Sequence, residues 1–350
     1  MLTLLLFILI IILVIFVHEF GHFIVAKLCG MRVEEFGFGF PPRIFKIKRG
    51  ETTYSLNALP LGGFVKILGE EGGSKDKRSF TEKSVSKRIA VLVAGVAMNF
   101  VLAIILLTIG FTSGMMPLAT NPENLKGAKS TEIYFTDVMP KSVAEQADIK
   151  PGDIVLGFNS VVEFQNFTKS NAAKPVTLKI KRDDSEITKS ITLGEGDSPL
   201  GVGLVAITSV KQSVPRAFIT ATQDTYYAGK MIISVIGRSL KQLVVTGTAS
   251  DEIKQATGPI GVYRVTGQVA KMGVIYFLQF IALLSINLGL INILPFPALD
   301  GGRVVFVLIE GIFRKKVIKD QIENVIHMVG FVLLIALIIL ITLRDIFRFY

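Results

Sequence analysis

Charge is scarce in this 350-residue chain. Only 19% of its residues are charged, against about 25% in an ordinary soluble domain. Cysteine occurs once, at Cys29, which excludes an intrachain disulfide. Cys29 itself reads as a small apolar residue at a helix end. Tryptophan is absent, so an aromatic belt at a membrane surface would fall to Phe and Tyr. Neither an internal repeat nor a low-complexity run is present. Hydrocarbon takes the place of charge: half of the residues are hydrophobic and the mean hydropathy is +0.55. The apolar residues gather in four blocks, each long enough for the roughly 20 residues that cross a bilayer. The fold class expected is an α-helical polytopic membrane protein with four transmembrane helices. A membrane-associated β segment and an inserted α/β domain interrupt it.

The net charge of +10 does not point to nucleic acid. Residues 27–88 carry 13 Lys/Arg against 7 Asp/Glu, whereas residues 113–273 carry 18 against 15. Basic residues confined to loops mark the cytoplasmic side of a membrane protein. The partner expected is the lipid bilayer, with residues 29–88 and 303–324 cytoplasmic.

The first apolar block holds Phe16-Val17-His18-Glu19-Phe20-Gly21-His22-Phe23. Residues four apart share one helix face, so His18 and His22 present two imidazoles to one metal ion. Glu19 beside them is placed as a general base. No charge precedes them from Leu2 to Val17. Ionisable groups at such depth are costly and mark function. Residues 1–28 thus form the first span. A secretory leader is the competing reading. It lacks a basic start and a small-residue cleavage site.

Residues 31–68 alternate polar and apolar and carry Gly37-Phe38-Gly39, a turn at Arg49-Gly50-Glu51, and Pro60-Leu61-Gly62-Gly63-Phe64. They read as strands or hairpins whose exposed edge could take an extended chain. Gly37-Phe38-Gly39 lacks the third glycine and the following helix of a nucleotide loop. Residues 89–112 are the second span. Asn99 within it reads as an amide that hydrogen-bonds between helices.

Within residues 113–200, Ser142 caps a short helix, a strand follows Pro151-Gly152, and residues 176–182 and 187–193 make an alternating pair. The run from Pro140 to Val155 resembles the bacterial PDZ pattern, with Asp148 where a glycine is usual. Residues 201–272 are expected as amphipathic surface helices, with a turn at Thr257-Gly258-Pro259.

The third span and its end, residues 273–302, finish in Asn292-Ile293-Leu294-Pro295-Phe296-Pro297-Ala298-Leu299-Asp300-Gly301-Gly302. Two prolines break the helix and leave Asp300 at a broken end inside the membrane, which suits a third ligand. Catalytic zinc takes three protein ligands and keeps an open position. Residues 325–345 are the fourth span, with His327 at its start as an interfacial histidine rather than a ligand.

Together these motifs are similar to the site-2 protease family of intramembrane zinc metalloproteases, nearest its bacterial RseP-type branch. The resemblance rests on His-Glu-Phe-Gly-His, the glycine-rich β segment, the PDZ-like insert, and the Asn-x-x-Pro-x-Pro-x-Leu-Asp-Gly run. It implies Zn2+ bound by His18, His22 and Asp300, with Glu19 as base. It also implies substrate held as an extended strand around Gly37, Phe38, Gly39, Asn292, Pro295 and Pro297. The protein would hydrolyse peptide bonds in transmembrane segments, with single-span membrane proteins such as anti-sigma factors, or remnant signal peptides, as substrates. An upstream site-1 protease would make the first cut. The setting implied is a bacterial inner membrane with one PDZ domain on the extracytoplasmic side.

Two rival classes fit less well. A scaffold with a structural zinc would need four protein ligands, and three candidates are present. A metal transporter would carry polar residues along several spans, yet the second and fourth are almost wholly apolar.

Overall fold

A computed structural model describes residues 1–70, 72, 74–182, 185–248, 250, 258–315 and 317–349. Thr257, read as part of a turn, lies outside the described set. The chain divides into two units. One comprises residues 1–110, 118–120 and 214–350; the other comprises residues 111–117 and 121–213.

The first unit contains α1 (Leu2–Leu28), β1 (Val33–Arg49), β2 (Thr52–Ile67) and most of α2 (Val85–Ser113). It resumes with α5 (Val214–Thr246), α6 (Pro259–Met272), α7 (Val274–Asn292), α8 (Asp300–Phe313) and α9 (Asp320–Phe349). Among the described residues, four helices are long and apolar enough to cross a membrane: α1, α2, α7 and α9. The second span begins at Val85 rather than at residue 89, because Ser84 to Arg88 already hydrogen-bond as helix. Arg88, buried there, pairs with Glu310 of α8 at 2.9 Å and stacks on Phe80. Helix α6 packs on α1, α7 and α9.

Strands β1 and β2 fold back on themselves. Residues 35–38 pair with 53–56 on one side and with 63–66 on the other, while residues 43–49 pair only with 52–57. The bend in β1 needs Gly39, whose φ of +80° is open to glycine. A Cβ there would also lie 3.0 Å from the Asn57 carbonyl oxygen. The sheet therefore ends in two unpaired edges, residues 43–49 and 63–67. At the hairpin turn, Lys27 and Arg78 both donate to Glu51 at 2.6 Å, which holds its carboxyl below the ordinary range.

The second unit is a five-stranded antiparallel sheet in the order β6-β5-β4-β3-β7. The strands are β3 (Ala128–Val138), β4 (Ile154–Val155), β5 (Pro175–Arg182), β6 (Ser185–Thr192) and β7 (Val202–Lys211). Two short helices, α3 (Val143–Gln146) and α4 (Val161–Ser170), accompany them. Ile133, Phe135, Phe164, Leu178 and Ile180 form its buried core. The expected cap is present: Ser142 accepts from the Glu145 N–H at 3.2 Å.

Residues 201–272 need correction. They are not surface helix throughout, because β7 takes residues 202–211 and pairs along β3. Its run Val-Gly-Leu-Val-Ala-Ile lacks a clean two-residue alternation, and only the partner strand fixes it. The inserted unit accordingly reaches residue 213 instead of 200.

Candidate metal centre

Helix α1 owes its length to an uninterrupted apolar run and carries His18 and His22 one turn apart, both buried. Gly21, between them, lets α2 approach: a Cβ there would sit 2.8 Å from Met98 Cγ and from the Ala94 carbonyl carbon. Helix α8 brings the third group. Its first residue, Asp300, follows the loop of residues 293–299. That loop folds so closely over Gly301 and Gly302 that a Cβ at either would overlap its backbone.

The result is a triangle of ligand atoms from residues 282 positions apart. His18 Nε2 lies 3.0 Å from Asp300 Oδ2, His22 Nε2 lies 3.3 Å from the same oxygen, and the two Nε2 atoms are 3.2 Å apart. A tetrahedral ion with ligand bonds of about 2.0–2.1 Å has edges of about 3.3 Å. Among the described residues this is the one group of three such side chains placed to hold a metal.

The surroundings fit an ion as well. His22 Nδ1 donates to the Val91 carbonyl at 2.8 Å, which leaves its Nε2 lone pair free. Asn99 of α2 meets His18 Nδ1 at 3.2 Å through its amide nitrogen, while its buried Oδ1 has no partner. Exchanging the two amide atoms, whose assignment follows from the hydrogen-bond network, lets Nδ1–H donate to Oδ1 and bares His18 Nε2. Asn99 thus turns to the site, and Ser285 of α7 holds its backbone carbonyl at 2.9 Å. Opposite the imidazoles stands Gly95, one turn before Asn99. A Cβ there would lie 2.8 Å from His18 Nε2 and would overlap His22 Nε2. The missing side chain leaves room beside the ligand atoms.

Glu19 lies over the β sheet, where a Cβ at Gly63 would come within 2.9 Å of its Cγ. Asn292, the last residue of α7, places Nδ2 3.2 Å from His18 Nε2. Among the expected substrate contacts, the Gly37–Gly39 segment needs correction as a free edge. The backbones of Gly37 and Phe38 are paired on both sides, and the Gly39 carbonyl accepts from Asn57, so this segment has no edge left for a further strand. Pro295 is exposed, and Pro297 packs against Gly330 of α9.

Val91, Gly95 and Asn99 share one face of α2 at four-residue spacing and were legible as a stripe, though nothing local ties it to the imidazoles. Gly63 carried no signal beyond its glycine pair. His327 stands outside the ligand group and bonds instead to the backbone before Asp300.

The sequence profile of peptidase family M50 matches residues 6–337. A Clostridium perfringens protein named "putative zinc metalloprotease" is 38% identical over 338 residues, covering 95% of both chains. The zinc metalloprotease RasP of Oceanobacillus iheyensis is 30% identical over 428 aligned positions, covering 95% of this chain and 96% of its own. The regulator of sigma-W protease RasP of Bacillus subtilis is 28% identical over 427 positions, covering 96% of both. The last two alignments run beyond the 350 residues present here, so those relatives carry sequence without a counterpart in this chain.

Proposed function

Because this chain belongs to peptidase family M50, the site-2 protease family of zinc metalloproteases, we propose that His18, His22 and Asp300 hold its zinc and that Glu19 is the general base. The observation that carries this is the approach of three ligand atoms to within 3.0–3.3 Å of one another. Zinc bound there supplies a Lewis acid that polarises a carbonyl and acidifies water. Glu19 takes the proton of the attacking water and returns it to the departing amine. His22 is fixed by the Val91 carbonyl and His18 by Asn99, so neither imidazole needs to reorient during the reaction.

The substrates are membrane proteins of the bilayer. A transmembrane helix hides its carbonyls in internal hydrogen bonds and must open before it is cut. The unpaired edge of β2, residues 63–67, can take the opened segment as an added strand and satisfy its backbone at membrane depth. Gly63 keeps that edge close to Glu19, and Asn292 presents its amide to the same space. Gly37 and Phe38 act behind the edge as the paired strand that supports it.

The substrate class proposed is single-span membrane proteins, including anti-sigma factors, and remnant signal peptides, with a site-1 protease cutting first. The name of the Bacillus subtilis relative, a regulator of sigma-W, favours the anti-sigma class. The basic loops, residues 29–88 and 303–324, support a cytoplasmic side in the bacterial inner membrane. The insert would then be extracytoplasmic. Its Pro140–Val155 pattern supports a PDZ-like docking role.

The test is Glu19→Gln in proteoliposomes with a single-span reporter. The variant retains stoichiometric zinc and loses cleavage by ~10²–10⁴-fold. Wild-type cleavage would remove Glu19 from the mechanism. Unchanged zinc affinity in Asp300→Ala would remove the ligand assignment.

A further inference from the structure

The loop that delivers Asp300 is not held by its own helix alone. Ala298, two residues before Asp300, has a φ of +81°. Left-handed backbone is costly to a residue with a Cβ and persists only where surrounding structure enforces it. The enforcement comes from α9. His327 Nδ1 accepts the Ala298 N–H at 3.0 Å, with the imidazole against the Phe306 ring at 5.4 Å. One turn on, Gly330 lets α9 close on the preceding residue: a Cβ there would stand 2.7 Å from the Pro297 carbonyl carbon. The Gly330 notch and the His327 acceptor grip the two ends of one peptide unit, the Pro297 carbonyl and the Ala298 N–H, from the same helix face.

We propose that His327 is a positioning residue for the metal centre, holding the strained Ala298 peptide so that Asp300 is presented to zinc. The inference rests on the assignment of Asp300 as a ligand. Without the His327 acceptor, the part-buried Ala298 N–H loses its partner and the loop relaxes out of the left-handed conformation. The carboxylate two residues later then swings away from the two imidazoles. Groups that orient a ligand from behind are worth ~10–100-fold in metal affinity. A merely structural histidine would not change zinc release when replaced by a side chain of similar bulk.

Asparagine and glutamine separate the two roles. Asn Oδ1 falls where His Nδ1 stands and keeps an acceptor for Ala298. Gln carries its acceptor one bond farther out. The experiment measures zinc release from the purified full chain to a chromogenic chelator, beside Asp300→Ala. The expected result is release about 10–100-fold faster in His327→Ala and His327→Gln, and near wild type in His327→Asn. Equal release from His327→Asn and His327→Gln overturns the proposal, and that pair decides the matter if the alanine variant does not fold. Fast release from Asp300→Ala with wild-type release from His327→Ala overturns the positioning role alone. Wild-type release from Asp300→Ala overturns the ligand assignment beneath it.

Discussion

Gly95→Ala adds one methyl group to α2, and its two consequences have opposite sign. In an apolar helix interior the change favours the helix by about 1 kcal/mol, because glycine costs more backbone entropy than alanine. At the site the same methyl would stand 2.8 Å from His18 Nε2 and Cε1 and would overlap His22 Nε2. Ordinary contact begins near 3.4 Å, so each imidazole must retreat by more than half an ångström. Neither has freedom to do so. The Val91 carbonyl holds His22 at 2.8 Å, Asn99 holds His18, and Gly21 already brings α1 against α2. The methyl therefore occupies space that an ion needs, and affinity falls by at least the ~10–100-fold expected when a supporting group is disturbed. The assay pairs zinc content by elemental analysis with thermal unfolding of the metal-stripped protein in detergent. The expected outcome is zinc lost from an apo protein no more stable than wild type, because overpacking at about 1–3 kcal/mol offsets the gain in helix propensity. A Gly95→Ala protein with full zinc occupancy would refute the reasoning.

Three further outcomes follow from other contacts. Asp224 of α5 is fully buried and accepts the N–H groups of Leu118, Ala119 and Thr120 at 2.6–2.9 Å. Asp224→Ala strands those donors at about 1–3 kcal/mol each where water cannot reach them, and limited proteolysis then cuts near residues 118–120. In the insert, Arg182 forks onto Asp153 with two bonds of 2.7 Å, and the Lys150 N–H adds a third. Burial works to raise the Asp153 carboxyl, but these partners hold it below its ordinary value of 3.8. A lowered folded value gives stability that is present above the unfolded value and is lost as pH falls through the folded one. Hydrogen exchange of residues 150–182, corrected for intrinsic rate, therefore rises below about pH 4. In Arg182→Met the protection is already reduced at neutral pH, because Asp153 is left buried without its partner; equal protection in that variant would contradict the account.

The candidate metal centre was legible where chemistry is local. His18, Glu19 and His22 follow from helical periodicity, and Asp300 from the two prolines that break the apolar run before it. What was not legible depends on pairing across distance. Residues 35–38 of β1 are central in the sheet because two parts of β2 pair with them, and no period in residues 33–49 reports that. Hence the free edge lies at residues 63–67 and not at Gly37, Phe38 and Gly39. β7 hides its strand character until β3 supplies a partner. α4 carries a local signal: Ser160 accepts from the Glu163 N–H at 3.1 Å, and Glu163 reaches back to the Asn159 N–H, a capping-box spacing written in the sequence.

The 282-residue separation between His18 and Asp300 has a consequence for biogenesis. During synthesis the first helix leaves the ribosome with both imidazoles and Glu19, but the acid that completes the triangle follows only after the insert and two more apolar helices. On the proposed assignment, a half-made chain lacks one of its three metal ligands while α2 and α7 are still being added. The order of the chain leaves the proposed site incomplete until α8 has been made.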